Sequence, residues 1–217
     1  MDTEKNTQRI GLLNWIVLLV CALVSELVAR QAGSAAGQVG VIFLGLGFLV
    51  AVLSYFQMRL EERERLEQME FDEMLKSKSS AALFASQEAE ALPARRAREQ
   101  FEKYFVPAFT VLLFLAQGSA VYFLWKWLGK AEPPKVAFGT LAMALYAVFA
   151  LVLFLLGKYS SGLARLDRQR LLRPGAGYML LGSFICFVVA VTEAAAWFGF
   201  PGVDLQVARA LCVVIGL

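Results

Sequence analysis

The sequence contains no histidine. The commonest metal ligand and the usual general base are both missing, and no Ser–His or Cys–His nucleophilic pair can be built. Cysteine is scarce. Cys21, Cys186 and Cys212 each lie inside an apolar run, with no partner at metal-ligand or redox spacing, and read as small buried hydrophobes. Proline stays out of the middle of those runs. Pro93, Pro107, Pro133, Pro134, Pro174 and Pro201 fall in loops or at run edges, which argues against the broken helices that transporters use at their binding sites. The net charge is only +3, too small to indicate nucleic acid as a partner. Gly157-Lys158-Tyr159-Ser160 lacks the glycine five residues earlier and the Lys-Ser/Thr step of a phosphate loop. These absences argue against an enzyme. They leave no catalytic, cofactor-binding or metal-binding residue to name.

What the chain does have is apolar length. Hydrophobic residues make up 59% of 217, against roughly 45–50% in soluble domains. The excess is gathered in blocks at Ile10–Ala29, Val39–Met58, Phe105–Leu128, Val136–Gly157 and Tyr178–Phe200. Each reaches the ~20 residues a helix needs to cross a ~30 Å hydrocarbon layer. The runs are continuously apolar rather than alternating, so helices and not barrel strands are expected. The first run, preceded by Lys5 and Arg9, is too long for a signal-peptide core. It reads as a retained anchor, despite the cleavage-like Ala-Gly-Ser-Ala-Ala at 32–36.

Basic residues alternate in number from loop to loop. A model with the N-terminus inside places 16 of them inside and 4 outside, the asymmetry expected of cytoplasmic loops. Trp125, Trp127 and Trp197 then mark the outer interface, and Tyr55, Tyr104, Tyr159 and Tyr178 the inner one. The one sizeable polar segment is 59–104. Its first half, RLEERERLEQMEFDEMLK, carries i,i+4 charge pairs (Glu61–Arg65, Arg63–Glu67, Asp72–Lys76) that favour a helix continuing span 2. A break is expected at Ser77–Ser80. A second helix should start near Pro93, at the favoured first position, with Arg95–Glu99, Arg98–Glu102 and Glu99–Lys103 along it. The expectation is a cytoplasmic helical hairpin, a solvated connector or a docking site for a partner.

Ionisable groups inside spans are sparse. Glu26 and Glu193 both lie toward the outer side, where they could share a polar pocket with Lys126; the plainer expectation is that each snorkels to the interface, with structural pairing as the other. Together with Gln117 in mid-span 3 they are the residues that would line an intramembrane polar site. Gly45, Gly47, Ala51, Gly118, Gly177 and Gly182 are the small residues expected to let helices approach closely. After Pro201-Gly202, the 13 residues 205–217 become increasingly apolar. They read as the first part of a truncated sixth span, or else as a short re-entrant or interfacial helix.

The fold expected is therefore all-α: a polytopic transmembrane bundle of five full spans plus a partial sixth. It divides into a transmembrane hairpin (1–58), a cytoplasmic charged hairpin (59–104) and a second transmembrane bundle (105–217). The stretches ARRAREQFEKYFVPAFTVLLFL (94–115), RLLRPGAGYMLLGSF (170–184) and FGFPGVDLQVARAL (198–211) resemble the N-terminal membrane region of long HflK-type proteins. Those are SPFH/stomatin-like modulators of the membrane AAA protease FtsH. The resemblance implies a non-enzymatic anchor and assembly module in a bacterial inner membrane. Its implied partners are the lipid bilayer, further copies of the chain or a larger membrane complex, and a membrane AAA protease. It transfers no catalytic residue, and the defining SPFH domain would lie beyond Leu217. The competing expectation is a subunit of a small-solute or ion transporter.

Overall fold

The computed structural model describes residues 2–77, 93–129, 139–166, 172–200 and 202–216. Among them the chain is helical throughout, without strands. The elements are α1 (Asp2–Ala32), α2 (Ala35–Ser77), α3 (Pro93–Gln100), a π-helical turn (Phe101–Phe105), α4 (Val106–Leu128), α5 (Gly139–Leu166), α6 (Leu172–Trp197) and α7 (Gly202–Gly216). Five helices are long and apolar enough to cross a membrane: α1, α2, the helix through α4, α5 and α6. The bundle of membrane-spanning helices expected from the apolar runs is present. The fifteen residues of α7, at ~1.5 Å each, fall short of a ~30 Å hydrocarbon layer.

The helices overrun the apolar runs. Helix α2 is continuous for 43 residues, so the second span does extend into the charged segment as one rod. The polar stretch expected to be a loop from Lys158 to Arg173 is largely helix, since α5 continues to Leu166 and α6 begins at Leu172. Pro93 opens α3, and two further prolines lie inside helices. Pro174 sits in the first turn of α6, where a missing N–H costs nothing. Pro107 sits at the join of the π turn and α4, and there Val106 N–H bonds back to Phe101 O. A proline ring crowds the carbonyl four residues earlier. Widening that turn to i→i+5 spacing relieves the clash without ending the helix. Phe101, Phe105 and Phe109 stack along the same face, with centroids 4.6 and 5.9 Å apart. Ser77 is helical, and the rest of the break expected at Ser77–Ser80 lies outside the described residues, as do Pro133, Pro134, Val136 and Pro201.

Two helical hairpins make the body. In the first, α1 turns into α2 at Gly33, whose φ of +66° favours glycine. Ser34 N–H returns 3.1 Å to Ala29 O, the C-terminal closure of α1. The Ser34 hydroxyl then accepts from Gly37 N–H at 3.0 Å, the N-cap of α2. The second hairpin pairs α5 with α6. Helix α6 closes in the same way as α1: Gly199 has φ +96° and Phe200 N–H reaches Ala195 O at 3.0 Å.

Helix α2 is the hub of the bundle, touching α1, α3, α4, α6 and α7. Val39 and Leu44 are fully buried among Leu18 of α1, Leu153 of α5, and Met179 and Val189 of α6. All three cysteines are free and buried in the same core. Lipid tails are as apolar as the side chains, so burial alone does not hold such helices together. Close backbone approach does. A Cβ on Gly157 would come within 3.0 Å of Leu180 Cγ, and one on Gly182 within 3.3 Å of Leu44 Cδ2. Helix α4 is enclosed on one side only: Leu128 is its one buried residue, Leu113, Val121 and Leu124 pack partly buried against the core, and Leu112, Phe114, Leu115, Phe123, Trp125 and Trp127 are exposed. In water such a surface would drive association. In a bilayer it is a lipid-facing surface.

Candidate functional site: a buried carboxylate pair where two helix turns meet

The α1–α2 and α6–α7 turns lie at the same end of the bundle, and there they bring two acids into its interior. Asp204, in the first turn of α7, is 1% exposed. Its position suggests a local cap for α7, but the side chain crosses to α2 instead. Oδ2 accepts from Ala35 N–H at 2.8 Å, and Oδ1 accepts from Ala36 N–H at 3.1 Å and from the Ser34 hydroxyl at 3.2 Å. The first N–H groups of a helix have no partner within it and carry its positive dipole end. One carboxylate from a distant helix satisfies two of them.

Glu193, on α6, is 3% exposed. Its carboxylate lies within hydrogen-bonding reach of Ser34 and within electrostatic reach of Asp204. Ser34 has a single hydroxyl proton and cannot serve both acids at once. Glu193 Oε1 is buried and without a hydrogen-bond partner among the described residues. Tyr146 of α5, 1% exposed, flanks the cluster and donates to Ser25 O on α1 at 3.3 Å. A Cβ on Gly37 would come within 2.9 Å of the Tyr146 hydroxyl and 3.1 Å of the Ser34 Oγ. Glycine there is what lets Tyr146 meet the start of α2.

The three residues read from the sequence as an intramembrane polar site make different contacts. Glu26 forms an i,i+4 ion pair with Arg30 on the surface of α1. Gln117 donates its side-chain amide to Ile215 O and so ties α4 to α7. Of the three, Glu193 is the one that is buried, while Glu26, like Glu193, lies within electrostatic reach of Tyr146. Lys126 is exposed on α4. Of the small residues, a Cβ on Gly47 would come within 3.4 Å of Tyr178 Cδ1, Gly182 packs against Leu44, and Ala51 is buried. Gly45, Gly118 and Gly177 face open space.

Sequence reasoning passed over Asp204, Ser34, Tyr146, Asn14 and Ser160. Gly33-Ser34 was legible as a C-cap glycine followed by an N-cap serine. Nothing local in the sequence pointed Asp204 at α2. Toward the opposite end, Asn14 of α1 and Ser160 of α5 exchange buried hydrogen bonds, Nδ2 to Oγ at 2.9 Å and Oγ to Oδ1 at 3.2 Å. Ser183 of α6 donates to Ala150 O of α5 at 2.7 Å. Outside the bundle, Arg98 of α3 bonds Glu64 at 2.8 Å and lies 3.5 Å from Glu61, both on α2, and bonds Glu102 at 2.8 Å. The charged segment thus folds back on itself as a helical hairpin.

Among the described residues no group of three or more acids or cysteines is placed to hold a metal ion. No family model, curated protein or solved structure matches this chain.

Proposed function

We propose that this chain is a non-enzymatic membrane anchor and assembly module, threaded with its N-terminus in the cytoplasm of a bacterial cell. The observation that carries the reading is the use made of its interior polar groups. Asp204 caps α2, Asn14 joins Ser160, Ser183 bonds α5, Tyr146 bonds α1 and Gln117 bonds α7. Each bond links two helices rather than lining a path, as expected of a bundle built to hold its shape in lipid. The charge asymmetry of the loops supports the orientation. The resemblance of 94–115, 170–184 and 198–211 to long HflK-type proteins supports a role as scaffold beside a membrane AAA protease.

Two measurements test this. Reporter fusions within 59–70 should read cytoplasmic and those within 130–138 should read external. The chain extracted in native nanodiscs should run as a multimer or larger complex. Opposite reporter signals would overturn the orientation. A strictly monomeric species that enriches no partner would overturn the assembly role.

One observation favours a second reading, a subunit of an ion or solute transporter: the unpartnered, buried Glu193 Oε1 beside Ser34 and Asp204. Intramembrane acids often mark proton or ion paths. Glu193→Gln discriminates between the two. An anchor inserts and assembles unchanged, whereas a transporter loses proton- or ion-dependent flux in proteoliposomes.

A further inference from the structure

Between α5 and α6 runs an apolar groove of about 690 Å³. Among its lining residues, Ala150 and Ser183 are small and buried, Ala147 is small and exposed, and Phe154 and Phe187 are large. The Ser183 hydroxyl is already bonded to Ala150 O, so the groove offers an apolar occupant no competing polar group. At one end stands Lys158. It is exposed, its Nζ lies 5.8 Å from the Phe154 ring centroid, and it has no carboxylate partner among the described residues. Arg173, exposed in the first turn of α6, stands at the same end of the hairpin.

The length of the groove decides what it fits. From Ala147 to Lys158 is eleven residues of helix, about 16 Å at ~1.5 Å per residue. That is about half of a ~30 Å hydrocarbon core, the depth of a single leaflet. A spanning helix from a second copy would need a groove running the full thickness. A lipid chain needs half, with a charge at the interface to match its headgroup.

We propose that the α5–α6 groove seats one acyl chain of an anionic phospholipid, with the headgroup phosphate on Lys158. The lysine stem lies along the wall and its ammonium reaches the interface, as amphipathic side chains do. One basic residue near a membrane surface contributes about 1 kcal/mol toward anionic lipid, roughly a fivefold preference by the usual conversion.

The test is native mass spectrometry of the full chain, released from detergent with phosphatidylglycerol or phosphatidylcholine added. The parent should retain one lipid, with phosphatidylglycerol favoured about fivefold. Lys158→Gln should bring phosphatidylglycerol down to the phosphatidylcholine level. Ala147→Phe, which adds bulk at an exposed lining position, should remove both adducts. Thermal melting in detergent checks that each variant is folded, and phosphatidylglycerol should raise the parent's melting temperature where inorganic phosphate does not. Equal retention of the two lipids by the parent would overturn the proposal. So would an adduct that survives Ala147→Phe in a folded variant, or stabilisation by phosphate alone. A dimer abolished by Ala147→Phe would assign the groove to a second copy and overturn it too.

Discussion

Asp204→Ala should destabilise the bundle by about 3–5 kcal/mol, the range seen when one partner of a buried charged contact is removed. The substitution leaves Ala35 N–H and Ala36 N–H without acceptors in a site where both residues are buried. A buried unsatisfied donor costs about 1–3 kcal/mol. Loss of the negative charge at the start of α2 adds up to ~2 kcal/mol in a buried geometry. Relief from burying an anion offsets part of this sum. Asp204→Asn keeps the shape and one acceptor oxygen and should cost about 1–2 kcal/mol, near the net worth of a hydrogen bond. Ser34→Ala removes the N-cap to Gly37 N–H and should cost about 1 kcal/mol. The two sites share the α2 terminus, so the double variant should depart from additivity by at least ~0.5 kcal/mol. Reversible unfolding in mixed micelles, followed by circular dichroism, gives the energies. Hydrogen exchange at 35–37 locates the change. An Asp204→Ala variant within about 0.5 kcal/mol of the parent, the range of an ordinary surface substitution, with unchanged exchange at α2's first turn, would refute the capping role.

Asn14→Ala should cost roughly 0.6–1.7 kcal/mol, the span measured for interhelical hydrogen bonds in membranes, and a cycle with Ser160→Ala should show that the cost is shared. Gly157→Val should cost at least ~1–3 kcal/mol through overpacking. The added atoms meet the Leu180 backbone N at 3.2 Å as well as its side chain, and unfolding by the same assay measures it. Arg98→Ala should lower stability by no more than about 1 kcal/mol, because its partners are partly exposed. Its effect should appear instead as faster proteolysis within 59–104, and that difference should shrink as salt is raised.

How much was legible in advance follows from the range of each force. The length and continuity of apolar runs depend on composition alone, so the spanning helices could be read directly, as could the continuation of α2 through a segment of i,i+4 charge pairs. Helix ends were less legible. Backbone hydrogen bonding carries α5 past its apolar run to Leu166 and keeps the chain helical around Pro107, and hydropathy does not report on either. The candidate site was the least legible. Glu26, Gln117 and Glu193 share a character in the sequence, yet Glu26 found a neighbour one turn away, Gln117 a backbone carbonyl on α7, and Glu193 the interior.

The sequence by itself therefore determined that the chain is helical, membrane-spanning and free of histidine chemistry, because bilayer thickness and residue inventory act on any chain regardless of its partners. Only the tertiary structure decided which polar groups meet. Asp204 and Ala35 are 169 positions apart, and their contact depends on two glycine turns landing at the same end of the bundle. Hydrogen bonds act over about 3 Å, so a pair this distant in sequence is set by how the helices pack and by nothing local to either residue.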